Sequence, residues 1–272
     1  IGGRTAGFLA AVMIAVLPGQ LLSRSIIGFA DHHVAEVLFS TTAMLFFMLA
    51  VRAGSGSLTF DSLRGGSLTA LKRPLLCALF AGAFLGLYID SWASGHLFVG
   101  IILAFVTIQS IVDHMRGRNV EYLGIVGTII FLITLLLILP FVRVQNGFSS
   151  VHYSLFQPTM LIIGIVFMLL LSFLSTQLAQ RKMERRYFPL VVFGSMFIVF
   201  VVLMVAIPSF TGTLTSGLNI FQPRAGGAAT ISEASTILER FGIQRNFPGL
   251  VSFLSPFWLT LLALPLLLYR YS

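Results

Sequence analysis

The chain has 272 residues, of which 57% are hydrophobic and only 10% are charged, and its mean hydropathy is +0.97. A soluble globular protein needs more charged side chains than this to cover its surface. The composition therefore excludes a soluble domain and predicts a protein embedded in membrane lipid.

The formal net charge of +8 does not indicate a nucleic-acid partner. The Lys and Arg residues are scattered through short loops between apolar runs, without the interleaved basic and aromatic patch typical of nucleic-acid binding. Cys77 is the single cysteine, which excludes a disulfide or a thiol-ligated metal cluster within the chain. We expect no nucleic-acid partner and attribute the basic loops to membrane topology.

Apolar runs of roughly 20 residues predict about eight transmembrane helices. In chain order they cover residues 5–22, 34–51, 74–89, 97–112, 122–142, 159–178, 189–207 and 248–268. Helices are expected because backbone groups have no water partner inside lipid. Residues 208–247 form the longest polar segment and are predicted as a loop. The pattern predicts one all-α transmembrane domain over residues 1–272.

The loops at alternate ends of these helices differ in their Lys and Arg content, which sets the orientation of membrane proteins. One set contains twelve basic residues: Arg4, Arg52, Arg64, Lys72, Arg73, Arg116, Arg118, Arg181, Lys182, Arg185, Arg186 and Arg270. The other set contains five: Arg24, Arg143, Arg224, Arg240 and Arg245. The first set is predicted to be cytoplasmic, with both ends of the chain inside the cell.

The densest polar cluster is predicted at the external side, where Arg24 is followed by Asp31, His32 and His33, with Glu36 in the next helix. An aspartate oxygen and an imidazole nitrogen two positions apart can reach one divalent cation if the backbone turns there. Asp31 could instead be only the N-cap of the helix that begins near residue 34. The residues alone leave both interpretations open.

A second external candidate is Glu233, in the tetrapeptide Thr230-Ile231-Ser232-Glu233 of the long loop. A loop glutamate is usually just solvated. However, Glu233 is predicted on the same membrane face as Asp31 and His33, so a mobile loop could bring its carboxylate to a shared cation.

Two further groups of polar residues are weaker candidates. Asp90, Trp92 and His96 lie in a short turn, where tryptophan more often marks the membrane interface than a site. Asp113 and His114 lie at a cytoplasmic helix end and are predicted to be solvated neighbours of a basic loop.

The segment from Ser23 to Glu36, which contains Asp31-His32-His33, resembles the second acidic motif of oligosaccharyltransferase catalytic subunits, in its archaeal form. Thr230-Ile231-Ser232-Glu233 is similar to the T-I-x-E motif of the same family. The turn around Trp92 is also similar to a tryptophan-containing turn of this family, although this resemblance is less specific. Both motifs occur in the family's order, with six predicted spans between them.

The resemblance implies a larger multi-span bundle of the GT-C type, of which this chain covers the third to about the tenth of thirteen helices. A first external loop with another metal-binding aspartate would precede Ile1, and an external C-terminal domain would follow Ser272. The stretch alone is therefore expected to be inactive.

The implied reaction transfers an oligosaccharide from a dolichol-linked phosphate or diphosphate donor to the asparagine amide of an N-x-S/T acceptor polypeptide. Mg²⁺ or Mn²⁺ is the implied cofactor, since the cation offsets charge on the leaving phosphate. By the resemblance, Asp31 and Glu233 are catalytic, and Asp31, His33 and Glu233 are metal ligands. Arg24, His32 and Arg245 are candidates for contact with the substrate or donor. Arg24 could equally pair with Glu36 or a lipid phosphate, and Arg245 could be a surface residue.

Two other functions remain as alternatives. Another polyprenyl-phosphate-sugar glycosyltransferase would also carry acidic residues at external helix ends, although the T-I-x-E loop argues against it. A transporter would be expected to bury ionisable residues at mid-membrane depth, where this sequence has almost none.

Overall fold

The computed structural model describes residues 5, 7–8, 11–12, 32–65, 68–93, 95–150, 152–181, 184–207 and 209–212. All of them lie in one compact unit of the chain, Ile1–Gly217. The elements are helices, and no strand occurs among these residues. The predicted all-α class is confirmed.

Seven α-helices have their bounds within this part of the chain. They are α1 (His33–Gly54), α2 (Phe60–Gly65), α3 (Leu68–Ser91), α4 (Leu97–Met115), α5 (Glu121–Ile138), α6 (Phe156–Gln180) and α7 (Phe188–Ala206). Short 3-10 turns occupy Leu139–Phe141, Val144–Asn146 and Arg185–Tyr187.

Six helical stretches of this part are long and apolar enough to cross a membrane. They are His33–Gly54, Leu71–Ser91, Leu97–Met115, Glu121–Phe141, Phe156–Gln180 and Arg185–Ala206. These stretches match the second to seventh predicted spans. The predicted span 5–22 and the predicted loop 208–247 lie largely outside the described residues, and the span 248–268 lies wholly outside them. The total of eight spans therefore stays a prediction.

The connection between α1 and α3 contains a helix that apolarity did not predict. α2 begins with reciprocal bonds: Ser62 N–H donates to Thr59 Oγ1 at 3.0 Å, and Thr59 N–H donates to Ser62 Oγ at 2.8 Å. Glu121 Oε2 accepts a third bond, from Phe60 N–H, at 2.9 Å. These contacts satisfy N–H groups that a helix start otherwise leaves unpaired, which explains why a polar six-residue segment is helical.

The membrane-spanning helices alternate in direction, so their termini fall into two groups. The His33 end contains the starts of α1, α4 and α6 and the ends of α3, α5 and α7. The Arg118 end contains the opposite termini, together with α2. Hydrogen bonds confirm the grouping, since Tyr153 donates to the Asp90 carbonyl at the first end, whereas Glu121 bonds Phe60 and Thr176 at the second.

The core lies where α3 packs on α1 and α5, and where α5 packs on α6. Small residues allow these helices to approach closely, as is usual between helices in lipid. At Gly82 an added Cβ would lie 2.7 Å from the Ile130 carbonyl oxygen, and at Gly164 it would lie 2.5 Å from the Phe131 ring. α7 is peripheral, with only Phe188 and Val192 buried.

The polar residues at the Arg118 end correct one prediction. Asp113 and His114 are not solvated: only 2% and 5% of their surfaces are exposed. Tyr122 donates to Asp113 Oδ2 at 2.7 Å and Gln109 donates to Oδ1 at 3.0 Å, while His114 Nδ1 lies 2.7 Å from Ser175 Oγ. Sequence position placed them at a helix end, but packing of α5 and α6 covers them.

Candidate metal centre at the His33 end

Two imidazoles and a carboxylate converge at the start of α1. His32 Nε2 lies 2.9 Å from Glu36 Oε1, and His33 Nδ1 lies 3.7 Å from the same oxygen. The exposed fraction of the side chain is 47% for His32, 25% for His33 and 18% for Glu36. The cluster is therefore partly shielded but still open to an entering ion or substrate.

The helix itself brings these groups together. α1 begins at His33, and the N-cap position is His32, whose side chain makes no capping hydrogen bond. Residues three and four positions apart share one face of a helix, so Glu36 lies beside both imidazoles. A carboxylate in the first turn is also stabilised by the positive end of the helix dipole.

The cluster has the geometry of a cation site. One ligand atom from each of His32, His33 and Glu36 can be chosen so that all three lie within 4.8 Å of one another. Imidazole nitrogen suits transition metals, whereas carboxylate oxygen also suits Mg²⁺ and Mn²⁺. This donor set fits a divalent metal ion.

The structure brings together two of the predicted site residues, His32 and His33. Four others, Arg24, Asp31, Glu233 and Arg245, lie outside the described residues, so their roles stay predictions. Glu36 was not predicted as a ligand, although its spacing of three and four positions from the two histidines was a signal for it. The interpretation of Asp31 as a helix cap is likewise untested.

Tyr88 and the turn after α3 form the neighbourhood of this cluster. Tyr88 lies near Glu36. Its ring packs edge-on against Phe98 with 5.0 Å between centroids, and an added Cβ at Gly95 would lie 2.8 Å from it. The close approach at Gly95 thus lets the α3–α4 turn support the side of the candidate site.

A second polar group lies at the same end, where the segment before α6 contacts the end of α3. Tyr153 donates to the Asp90 carbonyl at 2.6 Å, and Gln157 Nε2 donates to the Ala93 carbonyl at 3.1 Å. Burial, and then the nearby Asp90 carboxylate, raise the pKa of Tyr153, so its hydroxyl stays protonated and can donate. Burial lowers the pKa of His96, so that imidazole stays neutral near pH 7.

Comparison with known proteins decides the family. The family model described as Oligosaccharyl transferase STT3, N-terminal, matches residues 1–237. The chain belongs to this family. It is similar to the dolichyl-monophosphooligosaccharide–protein glycotransferase AglB of Haloferax volcanii, with 32% identity over 90% of this chain and 24% of that protein. It is also 32% identical to dolichyl-phosphooligosaccharide-protein glycotransferase 3 of Archaeoglobus fulgidus, over 85% of this chain and 26% of the relative.

Solved structures of the Archaeoglobus fulgidus oligosaccharyltransferase show the same fold. One, in complex with an inhibitory peptide and a dolichol-phosphate, has a TM-score of 0.72 and 30% identity, covering 84% of this chain and 26% of that chain. A second, tethered to an acceptor peptide containing the NVT sequon, has a TM-score of 0.65, 28% identity and coverage of 75% and 24%. A third, in complex with Zn and sulfate, has a TM-score of 0.60, 28% identity and coverage of 80% and 26%.

The STT3 family assignment and the apolar helices together establish a multi-pass membrane protein with a GT-C-type oligosaccharyltransferase fold. The chain spans about a quarter of the length of the relatives that it matches.

Proposed function

We propose that this chain is part of a metal-dependent oligosaccharyltransferase, which transfers an oligosaccharide from a dolichol-linked phosphate or diphosphate to the asparagine amide of N-x-S/T acceptors. One observation carries the proposal: His32, His33 and Glu36 converge at the start of α1, within the segment that resembles the family's acidic motif. The dolichol-phosphate and the sequon peptide bound by the solved relatives support the donor and acceptor classes.

In this reaction the asparagine amide nitrogen attacks C1 of the first sugar. The new bond joins nitrogen to C1, the bond between C1 and the phosphate oxygen breaks, and its electron pair leaves with the lipid phosphate. The amide must also lose one proton to a base. An amide nitrogen is a poor nucleophile because its lone pair is delocalised into the carbonyl group.

The proposed roles of the residues follow from that chemistry. Asp31 and Glu233 engage the acceptor amide through their carboxylates and weaken its conjugation. Asp31, His33 and Glu233 would hold the divalent ion, with His32 and Glu36 completing the cluster around it. The ion, when bound, offsets negative charge on the leaving phosphate. His32, with Arg24 and Arg245, would face the anionic donor.

We also propose that the His33 end is extracytoplasmic. Among the described residues, nine Lys and Arg lie at the Arg118 end: Arg52, Arg64, Lys72, Arg73, Arg116, Arg118, Arg181, Arg185 and Arg186. Only Arg143 lies at the His33 end of this part of the chain. Basic residues concentrate on the cytoplasmic side of membrane proteins, so this imbalance supports an external metal site.

The experiment uses the complete protein purified in detergent, with a dolichol-linked glycan and an N-x-S/T peptide. After chelation, glycopeptide should be formed only when Mn²⁺ or Mg²⁺ is restored. Replacement of His33 by alanine should lower transfer at least about a hundredfold, since a lost metal ligand removes the charge that stabilises the leaving group. His152→Ala is the matched control, because His152 is an exposed histidine at the same end but outside the cluster.

Transfer that persists without any divalent ion would overturn the metal dependence. A product in which the glycan is attached to serine, threonine or another lipid would instead assign the chain to a related polyprenyl-phosphate-sugar transferase. Equal loss of transfer in His33→Ala and His152→Ala would remove the special role of the His33 cluster.

A further inference from the structure

A polar cleft of about 690 Å³ opens at the Arg118 end, far from the candidate metal centre. Its walls are the α4–α5 connection, the last turns of α6 and the turn before α7. α4 alone separates the two ends by roughly 28 Å, since its 19 residues rise about 1.5 Å each. The cleft is thus a separate feature of the molecule and takes no part in the transfer reaction proposed above.

The acidic groups of this region are engaged within the protein. Glu121 lines the cleft, but its Oε2 accepts from Phe60 N–H at 2.9 Å and its Oε1 accepts from the Thr176 hydroxyl at 3.1 Å. Asp113, behind the wall, accepts from Tyr122 and Gln109. These carboxylates have structural partners and do not offer a free site for a cation.

Unlike the acidic groups, the two arginines that line the cleft are exposed and have few partners within the described part of the chain. Arg118 is 65% exposed, and its closest carboxylate contact is a loose one, with 3.9 Å between Nη1 and Asp113 Oδ1. Arg185 is exposed and forms no ion pair within the described part of the chain, although the adjacent Arg186 pairs with Glu184. Two guanidinium groups therefore line one cleft with most of their donors available.

Gly117 leaves room for one of these groups. The Arg185 guanidinium lies directly against Gly117, where any Cβ would overlap its Nη1 atom. Gly117 also has φ of 72°, a conformation that other residues rarely adopt. The α4–α5 turn therefore brings Arg118 and Arg185, which are distant in sequence, to the same cleft.

The surroundings of the cleft select a lipid as its ligand. Met115, two residues before Gly117, and Leu190, in the first turn of α7, are 50% and 68% exposed, so the helix ends beside the cleft offer apolar surface. The guanidinium of an arginine can bind two phosphate oxygens at once, and basic pockets between transmembrane helices bind anionic lipid headgroups. We propose that this cleft binds the phosphate of an anionic phospholipid, with its acyl chains along the exposed apolar faces.

The test titrates phosphatidylglycerol into the complete, delipidated protein in detergent and counts bound lipid by native mass spectrometry. The double replacement Arg118→Gln and Arg185→Gln should weaken phosphatidylglycerol binding by about tenfold or more, since two charge-assisted contacts are lost. Arg186→Gln is the matched control: it removes one basic charge at the same end, but Arg186 does not line the cleft. The control should bind within about twofold of the unchanged protein.

The other arms of the experiment identify the ligand. Phosphatidylcholine should bind weakly, and inorganic phosphate and glycerol phosphate should not compete at concentrations comparable to the lipid. Tight binding of inorganic phosphate alone would overturn the lipid assignment. The proposal is equally overturned if the double variant and Arg186→Gln bind phosphatidylglycerol alike, or if the unchanged protein binds none because another part of it covers the cleft.

Discussion

The carboxylate of Glu36 and the imidazole of His32 lie one helical turn apart, with 2.9 Å between Oε1 and Nε2. Because His33 is also beside Glu36, one carboxylate orients two potential ligands. Carboxylate partners of metal-binding histidines typically contribute 10- to 100-fold in affinity. We therefore expect Glu36→Gln to weaken Mn²⁺ binding by about tenfold or more, measured by paramagnetic resonance titration of the complete protein.

Asp61→Asn is the control for this variant, since it removes one carboxylate from exposed α2 at the opposite end. It should leave the affinity for Mn²⁺ unchanged. If Glu36→Gln binds Mn²⁺ as tightly as the unchanged protein, Glu36 neither ligates the ion nor orients its ligands.

Packing of α3 on α5 gives a second prediction. A Cβ at Gly82 would lie 2.7 Å from the Ile130 carbonyl oxygen and 2.9 Å from the Ile133 Cβ atom. Backbone cannot move aside cheaply, so Gly82→Ala should destabilise the protein by about 1–3 kcal/mol, as overpacked cores do. Thermal unfolding in detergent, followed by circular dichroism, measures the effect.

Gly100→Ala is the matched control within α4, because nothing lies within 4 Å of a Cβ added there. Alanine favours helix by about 1 kcal/mol over glycine, so this variant should be neutral or slightly more stable. Equal melting temperatures for the two variants would contradict the close contact of α3 and α5.

The buried carboxylate at the Arg118 end gives a third prediction. Tyr122→Phe removes the hydroxyl that donates to Asp113 Oδ2 at 2.7 Å. Asp113 is buried, with only 2% of its surface exposed, so water cannot replace that donor. A buried acceptor that loses its donor costs about 1–3 kcal/mol. Tyr187→Phe is the control, since that tyrosine is exposed, and its effect on thermal stability should be small.

Stability should depend on pH through His96. Burial lowers its pKa in the folded protein, while the unfolded chain keeps the ordinary value of about 6.5. The unfolded state therefore binds the proton first, and stability contributed by neutral His96 is lost as pH falls below about 6.5. The melting temperature should therefore fall as the pH is lowered from 7.5 to about 5.

His96→Phe should flatten this part of the pH profile and keep an aromatic ring against Phe156, whose centroid lies 4.9 Å from that of His96. His152→Gln, at an exposed position, should keep the slope of the unchanged protein. An unaltered slope in His96→Phe would assign the acid sensitivity to other groups.

The sequence by itself determined the membrane-spanning architecture, since apolar runs longer than the hydrocarbon thickness can satisfy their backbone only as helices. It also placed His32 and His33 at the start of α1, because the helix begins where the polar segment ends. The spacing of three and four positions also predicts that Glu36 lies beside His33 and His32, because residues at this spacing share one face of a helix.

Tertiary structure alone decided the rest. Asp113 was expected in solvent but is buried, because the neighbouring helix α5 packs Tyr122 against it. The more distant helix α6 covers His114 through Ser175. The same holds for the cleft, where Gly117 and Arg185 meet across the ends of α4 and α7. Polarity and periodicity report which residues suit water, lipid or a helix face, but contacts between separate helices depend on how their surfaces fit together.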